Sequence, residues 1–241
     1  MKICNTRNLW FVLLPLIGAC TPRPLVRLVE RTFPGCVYDV RTKEKIVALT
    51  LDDGPDATTT PKLLDLLREH NAHATFFLIS DHVTGNDAIV SSMLKQGHEI
   101  GNHFSSKEAS IRLNSVNFLG SFLRADTVLR KFSPVRWIRP GSGLCNERMI
   151  RTFSDYNYQC ALGSVHPFDQ QQPFAWYTSR VVLHEVYPGA VIVLHDAGYK
   201  GRNSEKALRR ILPELTKRGY RVMTLSALQS RETFTEPQRR E

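Results

Sequence analysis

The stretch Ile46-Val47-Ala48-Leu49-Thr50-Leu51-Asp52-Asp53-Gly54-Pro55 decides the reading of this chain. It begins with an unbroken apolar and β-branched run, the pattern of a strand buried on both faces of a parallel sheet. Two carboxylates follow at once, then Gly-Pro. Adjacent carboxylates repel unless a cation or a proton lies between them. Neighbouring strand residues also point to opposite sides, so one acid can bind a metal while the other acts as base. For this string alone, a solvated Asp-Gly-Pro turn is the alternative.

Outward from this stretch, strand-like and helix-like patterns alternate to about residue 229. Helices are expected over 61–70 (with Thr60 as cap), 88–96 ending at Gly97, 116–131, 147–154, 174–186 and 204–218. Strands are expected over 74–79, 98–101, 135–139, 158–163, 189–194 and 220–224. Such repeated units with short connections imply a parallel sheet, either a barrel or an open doubly wound sheet. Both place chemistry at the carboxyl ends of the strands. The polar residues directly after the expected strands are Asp52, Asp53, His103, Arg139, His195 and Asp196, and these are the candidate functional residues. His98 reads as a structural histidine that pairs with backbone. Arg139 enters a glycine-rich loop, Pro140-Gly141-Ser142-Gly143, whose backbone N–H groups could face a ligand, and His166-Pro167-Phe168-Asp169 forms a further cluster.

The composition narrows the classes. The 241 residues are 42% hydrophobic and 23% charged, which excludes a largely disordered chain. Fourteen Gly and thirteen Pro without a short period exclude collagen-like architecture. The net charge of +9 points to anionic wall polymer or a membrane surface. No nucleic-acid partner is expected: pairs such as Arg209-Arg210 and Lys217-Arg218 fall on solvated helix faces, with no interleaved aromatics. A magnesium phosphatase built on Asp52-Asp53 would leave His195 without a role.

Residues 1–20 read as an export signal: Lys2 and Arg7 precede an apolar core over 9–19 that is too short to span a membrane. Ile17-Gly18-Ala19-Cys20 resembles a bacterial lipobox, so lipidation anchors the chain to a membrane through Cys20, or the signal is simply cleaved, or it stays as an uncleaved anchor. A secreted or cell-envelope location is expected. Residues 21–39 read as a connector, 40–229 as one domain and 230–241 as a fraying tail. Cys36, Cys145 and Cys160 leave room for one disulfide and one thiol. With no Cys-x-x-Cys, no cysteine-rich zinc site is expected.

Asp-Asp-Gly-Pro (52–55), Gly-His-Glu-Ile-Gly-Asn-His (97–103), Arg-Pro-x-x-Gly (139–143), x-Pro-x-Asp (166–169) and Leu-His-Asp (194–196), in this order, resemble the polysaccharide deacetylase family. This is the NodB-homology domain of carbohydrate esterase family 4, and the resemblance spans about residues 40–228. It implies an α/β fold, a distorted, incomplete (β/α) barrel of mostly parallel strands. It also implies metal-assisted removal of N-acetyl groups from an amino-sugar polymer or oligosaccharide, by a monomer. Under this resemblance Asp52 is the general base, Asp53 and His103 are metal ligands, and Arg139 holds the base. His195 is the general acid, tuned by Asp169, and the backbone at Ser142 meets the oxyanion. The ion is divalent, zinc before cobalt or manganese. Three positions depart from the pattern. Lys107 stands where the second ligating histidine belongs, and an ammonium has no lone pair for a metal; Glu108 is the substitute donor considered. Ser142 replaces an aromatic. His166 and Gln170 replace an acid and a tryptophan. Lys107, Ser142 and Gln170 favour the rival reading, a catalytically impaired glycan-binding relative, but Asp52, Asp53, Arg139 and His195 all stand in place, and an active or partly active hydrolase is expected.

Overall fold

The computed structural model describes residues 23–32, 34–172 and 174–233; the expected signal and Cys20 lie outside them. The stretch 46–52 forms a fully buried strand, β2 (Ile46–Asp52). On one side β2 pairs with β7 (Val191–His195). On the other its first half pairs with β8 (Arg221–Met223) and its second half with β3 (Ala74–Leu78). The sheet continues through β4 (Glu99–Asn102), β5 (Trp137–Ile138) and β6 (Gln159–Ala161) to β1 (Cys36–Val37), every pairing parallel. Past β6 the chain swings back to β7, where the Ser164 and Val165 amides donate to Val191 O at 3.0 and 3.1 Å. The sheet is therefore a curled half-barrel, closed at one seam by a loop rather than by a full strand.

The period of two along a strand sorts its side chains by face. Val47, Leu49 and Leu51 face the outer helices: α2 (Thr60–Glu69), α4 (Asp87–Lys95), α5 (Ser115–Leu129), α6 (Glu147–Asp155), α7 (Ala175–Glu185) and α8 (Gly198–Lys217). Ile46 and Ala48 face inward, where they meet Phe77, Trp137, Val191, Leu225 and Leu228. The last two belong to a short helix, Leu225–Gln229, that fills the bottom of the barrel. Higher on the same inner face stand Thr50 and Asp52. The interior thus turns from apolar to polar toward the carboxyl ends of the strands. A one-residue slip of β2 would exchange the two faces and destroy both core and site.

Several boundaries and roles differ from the sequence reading. Residues 21–39 are not a mere connector. Arg23–Thr32 is a helix, α1, with Val26 buried and Arg27 held by Glu30 (2.7 Å) and Asp39 (2.9 Å), and Cys36–Val37 joins the sheet. Thr60 is not a cap. Thr59 precedes the helix, and the Thr60 hydroxyl donates to Asp196 Oδ2 at 2.6 Å. The helix expected from residue 204 starts at Gly198, because packing overrides the poor propensity of its two glycines. A Cβ at Gly201 would lie 2.7 Å from Thr59 Oγ1, and the Gly198 amide donates to Asp56 Oδ2 at 3.0 Å. In the expected tail, the Thr233 amide donates to Arg41 O at 2.8 Å, so residues 230–233 stay with the domain; 234–241 lie outside the described residues. His98 is structural as expected, its Nδ1 accepting from the Ala74 amide at 3.1 Å. Among the described residues no helix is long and apolar enough to cross a membrane.

Candidate active site

Asp52 ends β2, and its Oδ1 accepts from Arg139 Nη1 at 2.6 Å. Arg139 is itself fixed on several sides. Its Nε donates to Ala161 O and its Nη1 to Thr50 Oγ1, both at 2.8 Å, and its guanidinium lies over the Phe77 ring at 4.2 Å. Both charges are almost wholly buried, and removing either partner of such a pair costs about 3–5 kcal/mol. The pair fixes the Asp52 carboxylate in one orientation.

Asp53 follows with φ 73°, a left-handed conformation that costs a non-glycine residue roughly 1–2 kcal/mol. The turn carries its carboxylate from the outer face round into the barrel mouth. His82 Nδ1 donates to Asp53 O at 2.8 Å and the Ile79 amide to Gly54 O at 2.9 Å, which hold the turn. Gly54 is required there, since a Cβ would meet Asp196 Oδ2 at 2.6 Å. Asp53 Oδ1 lies 3.5 Å from His103 Nε2, and Oδ2 lies 3.1 Å from Lys200 Nζ. Burial works against the Asp53 charge, but the His103 contact and the charges of His103, His195 and Lys200 outweigh it and hold the carboxyl well below its usual range.

His103 Nδ1 donates to Arg139 O at 2.7 Å, which fixes the ring and turns Nε2 toward Asp53; in the neutral ring that nitrogen carries the lone pair a metal needs. An imidazole nitrogen and a carboxylate oxygen so placed suit a divalent ion of the zinc type. The donor set fits such an ion with two protein ligands. Lys107 is exposed on the cavity rim and adds none. Glu108, the donor considered in its place, is also exposed and does not line the cavity.

His195 ends β7 as the register partner of Asp52. Its Nδ1 donates to Asp169 Oδ1 at 2.9 Å, and Asp169 Oδ2 accepts from the His195 amide (3.1 Å) and Ser204 Oγ (3.2 Å). Burial lowers the His195 pKa, but the charge and hydrogen bond of Asp169, with the charges of Asp52 and Asp53, raise it above the usual value. The outward Nε2 meets the carboxamide of Gln170, whose backbone oxygen accepts from the Tyr199 hydroxyl.

Asp52, Asp53, His103, Arg139, Asp169 and His195 all line one cavity of about 680 Å³, together with Ser142 on its loop. Asp196 does not belong with them. It is buried beneath the site, bonded to the hydroxyls of Thr59 and Thr60, and its carboxyl is pushed well upward by burial. The sequence reading missed Lys200, placed by the early start of α8. It also missed α1, whose Val26, Leu28 and Val29 wall the cavity. No cysteine-rich zinc site is expected from the sequence, yet the sulfurs of Cys36, Cys145 and Cys160 lie within 4.8 Å of one another. Strand register and a returning loop bring them together, without any Cys-x-x-Cys.

The parallel half-barrel thus carries a clamped carboxylate and a buried His–Asp couple at adjacent strand ends. A family profile described as polysaccharide deacetylase matches residues 39–161. A peptidoglycan-N-acetylglucosamine deacetylase of Bacillus cereus is 38% identical over 199 residues, covering 79% of this chain and 91% of that protein. A chitooligosaccharide deacetylase of Sinorhizobium fredii is 31% identical, covering 74% and 89%. The crystal structure of the Bc1960 peptidoglycan N-acetylglucosamine deacetylase superposes with a TM-score of 0.78 at 29% identity, over 85% of this chain and 98% of that one. The chain belongs to the polysaccharide deacetylase family.

Proposed function

We propose that this protein removes N-acetyl groups from an amino-sugar polymer of the peptidoglycan or chitin-oligosaccharide type, working as a monomer at the cell envelope. The observation that carries this reading is the pairing of Asp52 and His195 on neighbouring strand ends, each oriented by a buried partner of opposite charge, on one cavity with Asp53 and His103. Names of relatives place their substrates among acetylated wall and chitin-derived sugars, and the expected export signal would bring the enzyme to such a polymer.

Asp53 and His103 would hold a divalent ion, zinc by preference, which when bound lowers the pKa of a water and draws charge from the amide carbonyl. The residues of the chain do the rest. Asp52, fixed by Arg139, accepts the proton of the attacking water. The loop at Ser142 borders the place where negative charge collects on the carbonyl oxygen. His195, kept as imidazolium by Asp169, gives its Nε2 proton to the departing amine; Gln170 must turn aside for this. Incubation with N-acetylglucosamine oligomers and with peptidoglycan is expected to release acetate. A chelator should stop the release and Zn(II) restore it. No acetate from either substrate with metal supplied would overturn the reading.

The pH dependence follows from the sign of the His195 shift. A raised pKa keeps the acid protonated to higher pH than an ordinary histidine, so activity falls as pH rises through that value. The same shift stabilises the fold below the unfolded histidine pKa, and that contribution is lost as pH rises through the folded one. Asp169→Asn removes the interaction that raises it. The alkaline limb of kcat is therefore expected to move to lower pH, and an unmoved limb would assign it to another group.

A further inference from the structure

Three cysteines that the hydrolytic centre does not use meet behind the cavity wall. Cys36 on β1 and Cys160 on β6 are register partners, and Cys145 reaches them from the loop that follows Gly143. The Cys36 and Cys145 sulfurs are 3.2 Å apart, and all three lie within 4.8 Å of one another. Cys160 is buried, and the other two are half-buried. An ion bound by three thiolates at about 2.3 Å spaces its sulfurs roughly 3.8–4.0 Å apart. The 3.2 Å pair and the 4.8 Å outer limit of the cluster lie on either side of that spacing.

We propose that Cys36, Cys145 and Cys160 form a trithiolate site for a thiophilic d10 ion of the Zn(II) class, separate from the Asp53–His103 pair. Three thiolates leave a tetrahedral ion one open position, which the half-exposed side of the cluster can supply with water. A bound ion displaces the thiol protons of the cluster, which pass to solvent. The site also reaches the cavity: Tyr38, Leu144 and Leu162, close in sequence to the three cysteines, line it. A bound ion would pin the loop bearing Ser142 to the β1–β6 edge.

The test uses the full chain with Cys4→Ser and Cys20→Ser, reduced, freed of reductant under nitrogen and titrated with Cd(II). A sulfur-to-cadmium charge-transfer band saturating at one equivalent is expected, with a large excess of Zn(II) lowering it by competition. Cys145→Ser, on the loop, should abolish the band while circular dichroism shows the fold intact. Asp53→Ala should leave the band unchanged, separating this site from the hydrolytic one. Absence of the band in the reduced protein, or its persistence in Cys145→Ser, would overturn the proposal. So would a Cys36–Cys145 disulfide that resists reduction and leaves no ion bound.

Discussion

Asp52→Asn is expected to lower acetate release by a factor of ~10²–10⁴, the range that a positioned general base contributes, while Zn(II) binding stays as it was. An asparagine oxygen still accepts from Arg139 Nη1, so the side chain keeps its place. The amide nitrogen, however, cannot take a proton from water near neutral pH. The substitution also leaves the buried Arg139 charge without its counterion, and a drop in melting temperature should accompany the loss of turnover. Assays are therefore to be run well below the variant's melting point, with bound metal measured on the same sample. Turnover unchanged in a folded, metal-loaded variant would remove Asp52 from the role of base.

Lys107→His should act in the opposite direction. The wild-type site offers two donors to an ion, and the Lys200 ammonium sits 3.1 Å from one of the Asp53 oxygens and competes for it. Lys107 lies on the cavity rim and can only repel a cation. A histidine there provides a third donor, the second nitrogen, and removes one positive charge. Changes outside the ligand shell alone commonly shift metal affinity 10- to 100-fold, so a gain of at least ~100-fold in Zn(II) affinity is expected, with higher activity at limiting metal. Lys200→Met, which removes the competitor without adding a ligand, should give a smaller gain. No tightening in Lys107→His would mean that a side chain at 107 cannot reach the Asp53–His103 pair.

The parts of this molecule legible in the sequence are those whose cause is local. An unbroken apolar run announces β2, and the acids that follow it fall at the strand's carboxyl end because nothing else can follow there. Gly97 ends its helix with φ 79° because that conformation suits glycine. The features that were not legible depend on contacts between distant segments. Cys36 and Cys145 are 109 residues apart in the chain, and only the β1–β6 register brings the third sulfur beside them. Lys200 belongs to the site because Asp56 and Thr59 receive the first turn of a glycine-bearing helix. Asp196 resembles its neighbour His195 in sequence, yet alternation along the strand turns it away from the mouth of the barrel and toward Thr59 and Thr60. Half of the α1 helix is polar, and the use of its valines is visible only once there is a cavity for them to border.

That helix has a further consequence for the shape of the substrate. A polymer lying across an open gutter needs room for sugar rings on both flanks of the bond being cut. Here one flank is bounded by Val26, Leu28 and Val29, aliphatic groups that offer ring hydroxyls no hydrogen bonds. Trimming the chain ahead of residue 34 would take this aliphatic wall away, and the preference between short saccharides and long strands is expected to change with it.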